Sequence, residues 1–237
     1  MRFPRHAVIV AALSLAGAGL FARLGVWQVS RLKERRSFNA HLEARLAAAP
    51  VPVRRLPPDT SAGHFRRATA TGSYDFAVEV ALAPRSRDGS PGVHLLTPMR
   101  LADGGMVIVN RGWVYSEDAK TVDFERWHEY VGDTITVVGY AETWKGRAVG
   151  PRTPRILHAL DSAGIALQVG VPVLPYYLVQ TSDSALAPTR PARLGEPALD
   201  EGSHKSYAIQ WFSFALIAMI GGALLVREEL IRRRVSA

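Results

Sequence analysis

His204, Tyr207, Ala208 and Trp211 open an uncharged apolar run, and their spacing is the feature of this 237-residue sequence best suited to chemistry. Residues i, i+3, i+4 and i+7 share one helical face. A helix here therefore lines up an imidazole, a phenol and an indole around one small residue. Such a stripe can receive a flat ligand, because imidazole nitrogen binds metals while phenol O–H and indole N–H donate hydrogen bonds. A plainer account also stands: Trp and Tyr collect at membrane–water interfaces, where amphipathic rings suit the depth. A second candidate pair, Arg111 and Trp113, lies in NRGWV, where a strand ends at a glycine. A core indole beside a surface or buried ion-pairing arginine is the plainer reading there. Enzyme signatures are missing. No G-x-S-x-G elbow, phosphate-binding glycine loop or H-E-x-x-H pair occurs, and the seven histidines share no helical i, i+3 or i+4 spacing. His94 reads as a strand histidine satisfied by its neighbours. With no cysteine, disulfides, thiol catalysis and thiolate metal sites are excluded.

The elements that must position these residues begin with two apolar runs. Residues 207–226 carry no charge over 20 positions, which at about 1.5 Å per residue covers the roughly 30 Å hydrocarbon core of a bilayer. Residues 7–27 read as a first transmembrane helix. Arg2, Arg5 and the small triplet Ala16-Gly17-Ala18 also fit a cleavable signal, but apolar character resumes beyond the triplet and favours a retained helix. Arg23 is tolerable near an interface, its stem along the helix and its guanidinium at the headgroups.

The chain has 29 Lys and Arg against 21 Asp and Glu. Half of the net +8 sits in the tails, 1–6 and 227–237, which hold six arginines against two glutamates. That distribution argues against a nucleic-acid partner. It is the positive-inside pattern, placing both termini in the cytoplasm and the residues between the helices outside. Arg31, Lys33, Arg35 and Arg36, just after the first helix, run against it.

Residues 28–206 form the expected external domain. Leu32, Phe38, Leu42 and Leu46 among charges continue the first helix over residues 29–46, and the prolines of residues 51–63 make a linker. A period of two then predicts strands. AVEVAL (77–82) puts Val78, Val80 and Leu82 on one face and Glu79 on the other, GVHLLTPMRL and MVIVNRGWV flank a hairpin turn, and TITVVGYAE and YYLVQTS add two more strands. Residues 86–92 read as a turn, residues 155–169 as a helix. The fold class is α+β, two transmembrane helices bracketing a mainly antiparallel β extracytoplasmic domain.

GVWQVSRLKER, GSYDFAVEVALAPRSRDGSPGVHLLTPMRLADGGMVIVNRGWV and GSHKSYAIQWFSFALIA, in that order, resemble the surfeit locus protein 1 family of cytochrome c oxidase assembly factors. The resemblance covers nearly the whole chain. Departures are local: Ser203 precedes the motif histidine where Asn is common, Tyr115 follows NRGWV where Pro is common, and Lys205 takes a usually apolar position. The resemblance implies a non-enzymatic factor for maturation of the haem-copper oxidase catalytic subunit, set in the plasma (inner) membrane with both termini cytoplasmic and the central domain periplasmic. It implies haem a as the cofactor, His204 as ligand to the haem iron, and Trp211, Tyr207, Trp27 and Gln28 around it. Arg111 and Trp113 become candidates for partner contact. Membrane lipid and the oxidase catalytic subunit are the expected partners. A structural chaperone that stabilises an assembly intermediate without touching haem is the alternative.

Overall fold

The computed structural model describes residues 5–144, 155–181 and 190–235. In chain order the helices are α1 (Arg5–Ala47), α2 (Thr60–Gly63), α3 (Ser162–Val169) and α4 (His204–Val235). The strands are β1 (Val51–Pro52), β2 (Arg67–Tyr74), β3 (Val80–Arg87), β4 (Ser90–Leu101), β5 (Met106–Tyr115), β6 (Ile135–Thr143), β7 (Ile156–Leu157) and β8 (Val173–Gln180). The chain divides into two compact units, one of Met1–His41 with Leu199–Ala237 and one of Leu42–Ala198.

The first unit is built on two helices, each long and apolar enough to cross a membrane. Small and amide side chains are buried between them. Ala18, Gln28, Asn39, Ala208 and Ala215 are buried, while Leu13, Leu15 and Ile217 are exposed. Close approach explains the small residues: a Cβ on Gly25 would stand 2.7 Å from the Phe212 ring, and one on Gly222 would stand 2.3 Å from the Ser14 hydroxyl. The turn before α4 is clamped to α1. Arg36 grips the Glu201 carboxylate at 2.7 and 3.0 Å, and Arg35 and Asn39 donate to the Asp200 carbonyl at 2.7 and 3.2 Å. Part of the basic cluster that runs against the positive-inside pattern thus has a local use.

The second unit is a β-barrel. Following hydrogen bonds round the wall gives β2–β6–β8–β5–β4 and back to β2, which pairs with β4 through Gly72↔Leu101 and Tyr74↔Met99. Closure needs a glycine there. A Cβ on Gly72 would meet the Arg100 carbonyl at 2.0 Å. Alternate residues point inward and fill the barrel, among them Val107, Val109, Val137, Ala141, Tyr176 and Leu178. Their neighbours Ile108, Tyr140, Tyr177 and Val179 point outward and are covered by Leu42 and Leu46 at the end of α1 and by Ile165 of α3. β3 extends the wall from β4, and the two-residue strands β7 and β1 lie at the margins.

One refinement and three corrections to the expectations follow. Among the described residues the sheet is mainly antiparallel, in five of its eight strand pairings, but it is mixed, because β5 and β8 pair in parallel, as do β1 with β2 and β3 with β7. Glu79 is not on a solvated face: β3 starts one residue later and the carboxylate is fully buried on Arg111. The helix expected over residues 155–169 is only α3, capped by the Asp161 carboxylate, which accepts from the Gly164 N–H at 2.6 Å; its first residues form β7 instead. Within the expected linker, β1 adds to the barrel and Asp59 caps α2. The turn at residues 86–92 is a β3–β4 hairpin whose Asp88 and Gly89 both have positive φ, the pair a type I′ turn requires.

Candidate functional site

The helix pair carries the first group. Nδ1 of His204 lies 2.8 Å from Oε1 of Gln28, so the opening residue of α4 meets the aromatic end of the apolar part of α1. Because an amide oxygen only accepts, Nδ1 carries a proton, so the neutral ring has its lone pair on Nε2. That tautomer leaves the ring a free ligand nitrogen, held in direction by its second-side hydrogen bond. Beside the imidazole is an open space of about 470 Å³ bordered by Arg31, Glu34, Arg35, Phe38, Asp200 and Glu201. Two guanidinium groups stand at its edge, Arg31 paired with Glu34 at 2.5 Å and Arg35 donating to the Asp200 carbonyl, and a ligand with carboxylate substituents would have to share or replace these partners. Further along α4, Trp211 stacks on Phe21 at 5.8 Å with the planes 20° apart, and Phe214 closes the group at 5.9 Å from Trp211.

The four-residue stripe therefore divides. His204, Ala208 and Trp211 face α1, with Ala208 buried where the backbones come close, while Tyr207 is 47% exposed. Trp27 also turns outward, 53% exposed, and its neighbour Gln28 supplies the contact instead. Residues i and i+3 differ by about 60° round a helix, enough to put Tyr207 at the side of the stripe rather than on it.

NRGWV is built for another purpose. Arg111 is fully buried, and its Nη1 pairs with Glu79 Oε1 at 2.8 Å while Nη2 approaches Glu129 Oε1 at 3.3 Å. Nη2 also donates to the Trp127 carbonyl, and the Tyr74 and Phe76 rings lie 5.3 and 5.1 Å from the guanidinium carbon. The network continues outward through Arg193 and Arg190, 2.7 and 3.2 Å from the two Glu129 oxygens. Gly112 follows with φ +130°, and a Cβ there would strike the Ala192 carbonyl at 2.3 Å. Trp113 then exchanges both backbone hydrogen bonds with Ala192 at 2.8 Å. Direct partner contact by Arg111 is thus corrected: the side chain has no surface and is the buried ion-pairing arginine. Trp113 is half-buried, edge-on to the exposed Tyr115 at 6.5 Å.

The SURF1 family model matches residues 15–216, which takes in most of α1, the whole barrel and the first turns of α4. The chain belongs to the SURF1 family. A SURF1-like protein of Mycobacterium tuberculosis is 29% identical over 92% of this chain and 82% of its own length. One from Rickettsia conorii is 24% identical over 90% of this chain and 87% of its own. The cytochrome oxidase assembly protein SHY1 of Saccharomyces cerevisiae is 34% identical over 97 residues, 40% of this chain and 25% of its own. In this SURF1 chain, sequence reasoning missed Glu79 and Glu129 as partners of Arg111. Only the out-of-place Glu79 in an apolar stretch hinted at them. It also missed the Arg35, Arg36 and Asn39 clamp, although the basic cluster itself was visible.

Proposed function

We propose that this chain is a membrane-anchored assembly factor for the haem-copper (cytochrome c) oxidase catalytic subunit, and that it binds haem a while that cofactor is being inserted. The observation that carries the reading is the His204–Gln28 hydrogen bond. It supports a neutral imidazole with its lone pair on Nε2 and beside open space, which is what a residue that would hold haem iron needs. The residues fit the group: His204 would hold the iron, Arg31 and Arg35 would take the propionates, and Trp211 with Phe21 would offer apolar ring surface. When bound, the haem supplies an iron centre that accepts the imidazole nitrogen. The apolar outer surfaces of α1 and α4 support insertion in the inner membrane, and the basic tails support cytoplasmic termini with the barrel on the other side. Trp113 and Tyr115 are the part of their strand exposed enough to touch the oxidase subunit.

Purified full-length protein in detergent, titrated with haem, should develop a Soret band that His204→Ala abolishes or strongly weakens and that His158→Ala leaves unchanged. An identical spectrum and affinity in His204→Ala would remove the ligand assignment. If the protein still copurifies with the oxidase subunit under that outcome, the chaperone without haem becomes the better account.

A further inference from the structure

The outer wall of the barrel holds a cavity that the function proposed above does not use. Register across the wall sets Tyr140 of β6 opposite Val179 of β8, and Val179 opposite Asn110 of β5. Past the β5–β4 bulge comes His94, opposite Leu82 of β3, and the irregularity after Leu82 brings Arg85 round to the same space. The row closes a cavity of about 350 Å³, covered by His158, Leu160 and Leu194. Such a wall would ordinarily be apolar, as the rest of this face is.

Its polar groups are short of partners. Arg85 donates to its neighbour's carbonyl, Pro84, at 2.7 Å and has no carboxylate partner among the described residues. Neither the Tyr140 nor the Tyr177 hydroxyl has a hydrogen-bond partner among the described residues. Asn110 takes the Gly112 N–H on its oxygen at 3.1 Å and offers its NH₂ to Nδ1 of His94 at a long 3.4 Å. Nε2–H of His94 therefore remains a donor. The acid on this wall, Glu142, accepts from Thr143 N–H at 3.0 Å and lies 2.7 Å from His64 Nε2. It lines the cavity from β6, opposite Tyr177 of β8, while Arg85 on β3 stands at the other end of the row. A cation half withdrawn from water without a counter-charge is costly, and a bound anion relieves that cost.

We infer that this cavity binds a small organic monocarboxylate, its head on Arg85, the His94 Nε2–H and the Tyr177 hydroxyl and its apolar body against Leu82, Leu160, Val179 and Leu194. The protonation states agree. Burial, with Arg85 nearby, pushes the His94 imidazole down to about 4, and burial pushes the Tyr140 hydroxyl up to about 12 and raises Tyr177 as well. At neutral pH all three are uncharged, and Tyr177 keeps the proton it would donate. The volume lies near the lower end of the roughly 300–1,000 Å³ usual for ligand pockets, so the ligand is a dozen or so heavy atoms and not a macrocycle.

Isothermal titration of the full chain in detergent with 4-phenylbutyrate tests the inference, with 4-phenylbutanol as the matched neutral body. The acid should bind saturably and the alcohol at least tenfold more weakly. Arg85→Gln should weaken the acid by about 10- to 150-fold, the range for a hydrogen bond to a charged group, and Tyr177→Phe by about 2- to 12-fold. Arg85→Lys should recover part of the loss, and His204→Ala should bind the acid as the parent does, which keeps this result separate from haem binding. Equal binding of acid and alcohol, undiminished binding in a folded Arg85→Gln variant, or no saturable binding by the parent overturns it.

Discussion

Leu13, Leu15 and Ile217 of the helix pair are exposed by 69, 65 and 64%, whereas Arg111 and Glu79 of the barrel are exposed by 0%. The two units are nearly inverted. In the helix pair the buried residues are mostly small or amide, among them Ala18, Gly25, Gln28 and Ala208, with Leu32 also buried. In lipid, where the proposed function puts them, two apolar helices would gain nothing hydrophobic by coming together, so close backbone approach and hydrogen bonds would do the work. The barrel instead excludes water with a filled interior and has enough packing round it to hold a carboxylate–guanidinium network. A histidine at the helix pair can therefore stay available to a ligand. An arginine at the end of a barrel strand becomes structure.

The sharpest way to break this contrast is Arg111→Ala. Removing one partner of a buried ion pair leaves Glu79 and Glu129 uncompensated, so unfolding free energy should fall by about 3–5 kcal/mol. Chemical denaturation followed by circular dichroism reads it, and a loss under 1 kcal/mol would mean that the network is not holding the barrel. Next comes Gly112→Ala, which imposes an L side chain at φ +130° and against the Ala192 carbonyl. A cost of about 1–3 kcal/mol is expected from the backbone strain alone, measured the same way; an unchanged midpoint would show that the 192 segment is not held there.

The barrel was legible wherever pattern is local. The β4–β5 hairpin announces itself through Ala102-Asp103-Gly104-Gly105, and α1 stops before Pro50 as its sequence requires. β2 was not legible: RATATGSY alternates only small and polar residues, and its place depends on filling the wall between β6 and β4. The parallel β5–β8 pairing joins residues more than 60 positions apart and leaves no local trace. The same holds for sites. His204 and Gln28 could be named as candidates from their types and positions, but the bond between them spans 176 residues. Glu79 looked like a surface residue because its partner Arg111 is 32 positions away.

A gentler test uses pH. His94 folds with its imidazole held neutral, down to about 4 against an ordinary value of about 6.5. Below pH 6.5 the unfolded chain takes up a proton that the folded barrel refuses, so this contribution to stability is complete above about 6.5 and is lost as pH falls towards about 4. Thermal melts between those values should show a slope that His94→Gln flattens, and an equal slope in both proteins would place the sensitivity elsewhere. The smallest effect belongs to the helix pair. Gln28→Ala removes one orienting hydrogen bond, worth about 0.5–1.5 kcal/mol or about 2- to 12-fold in haem affinity, without lowering the barrel's melting point. A lowered melting point would join two regions that the comparison keeps apart.

Ring closure also sets an order of events during synthesis. β5 and β6 both wait for β8, whose residues 173–180 come late in the chain and only 24 positions before α4 begins. Until they emerge, the barrel has a gap between two long strands with unpaired edges, a template for wrong pairing. Non-local pairing of this kind is also slow. The strand that seals the barrel and the helix α4 are thus made almost together.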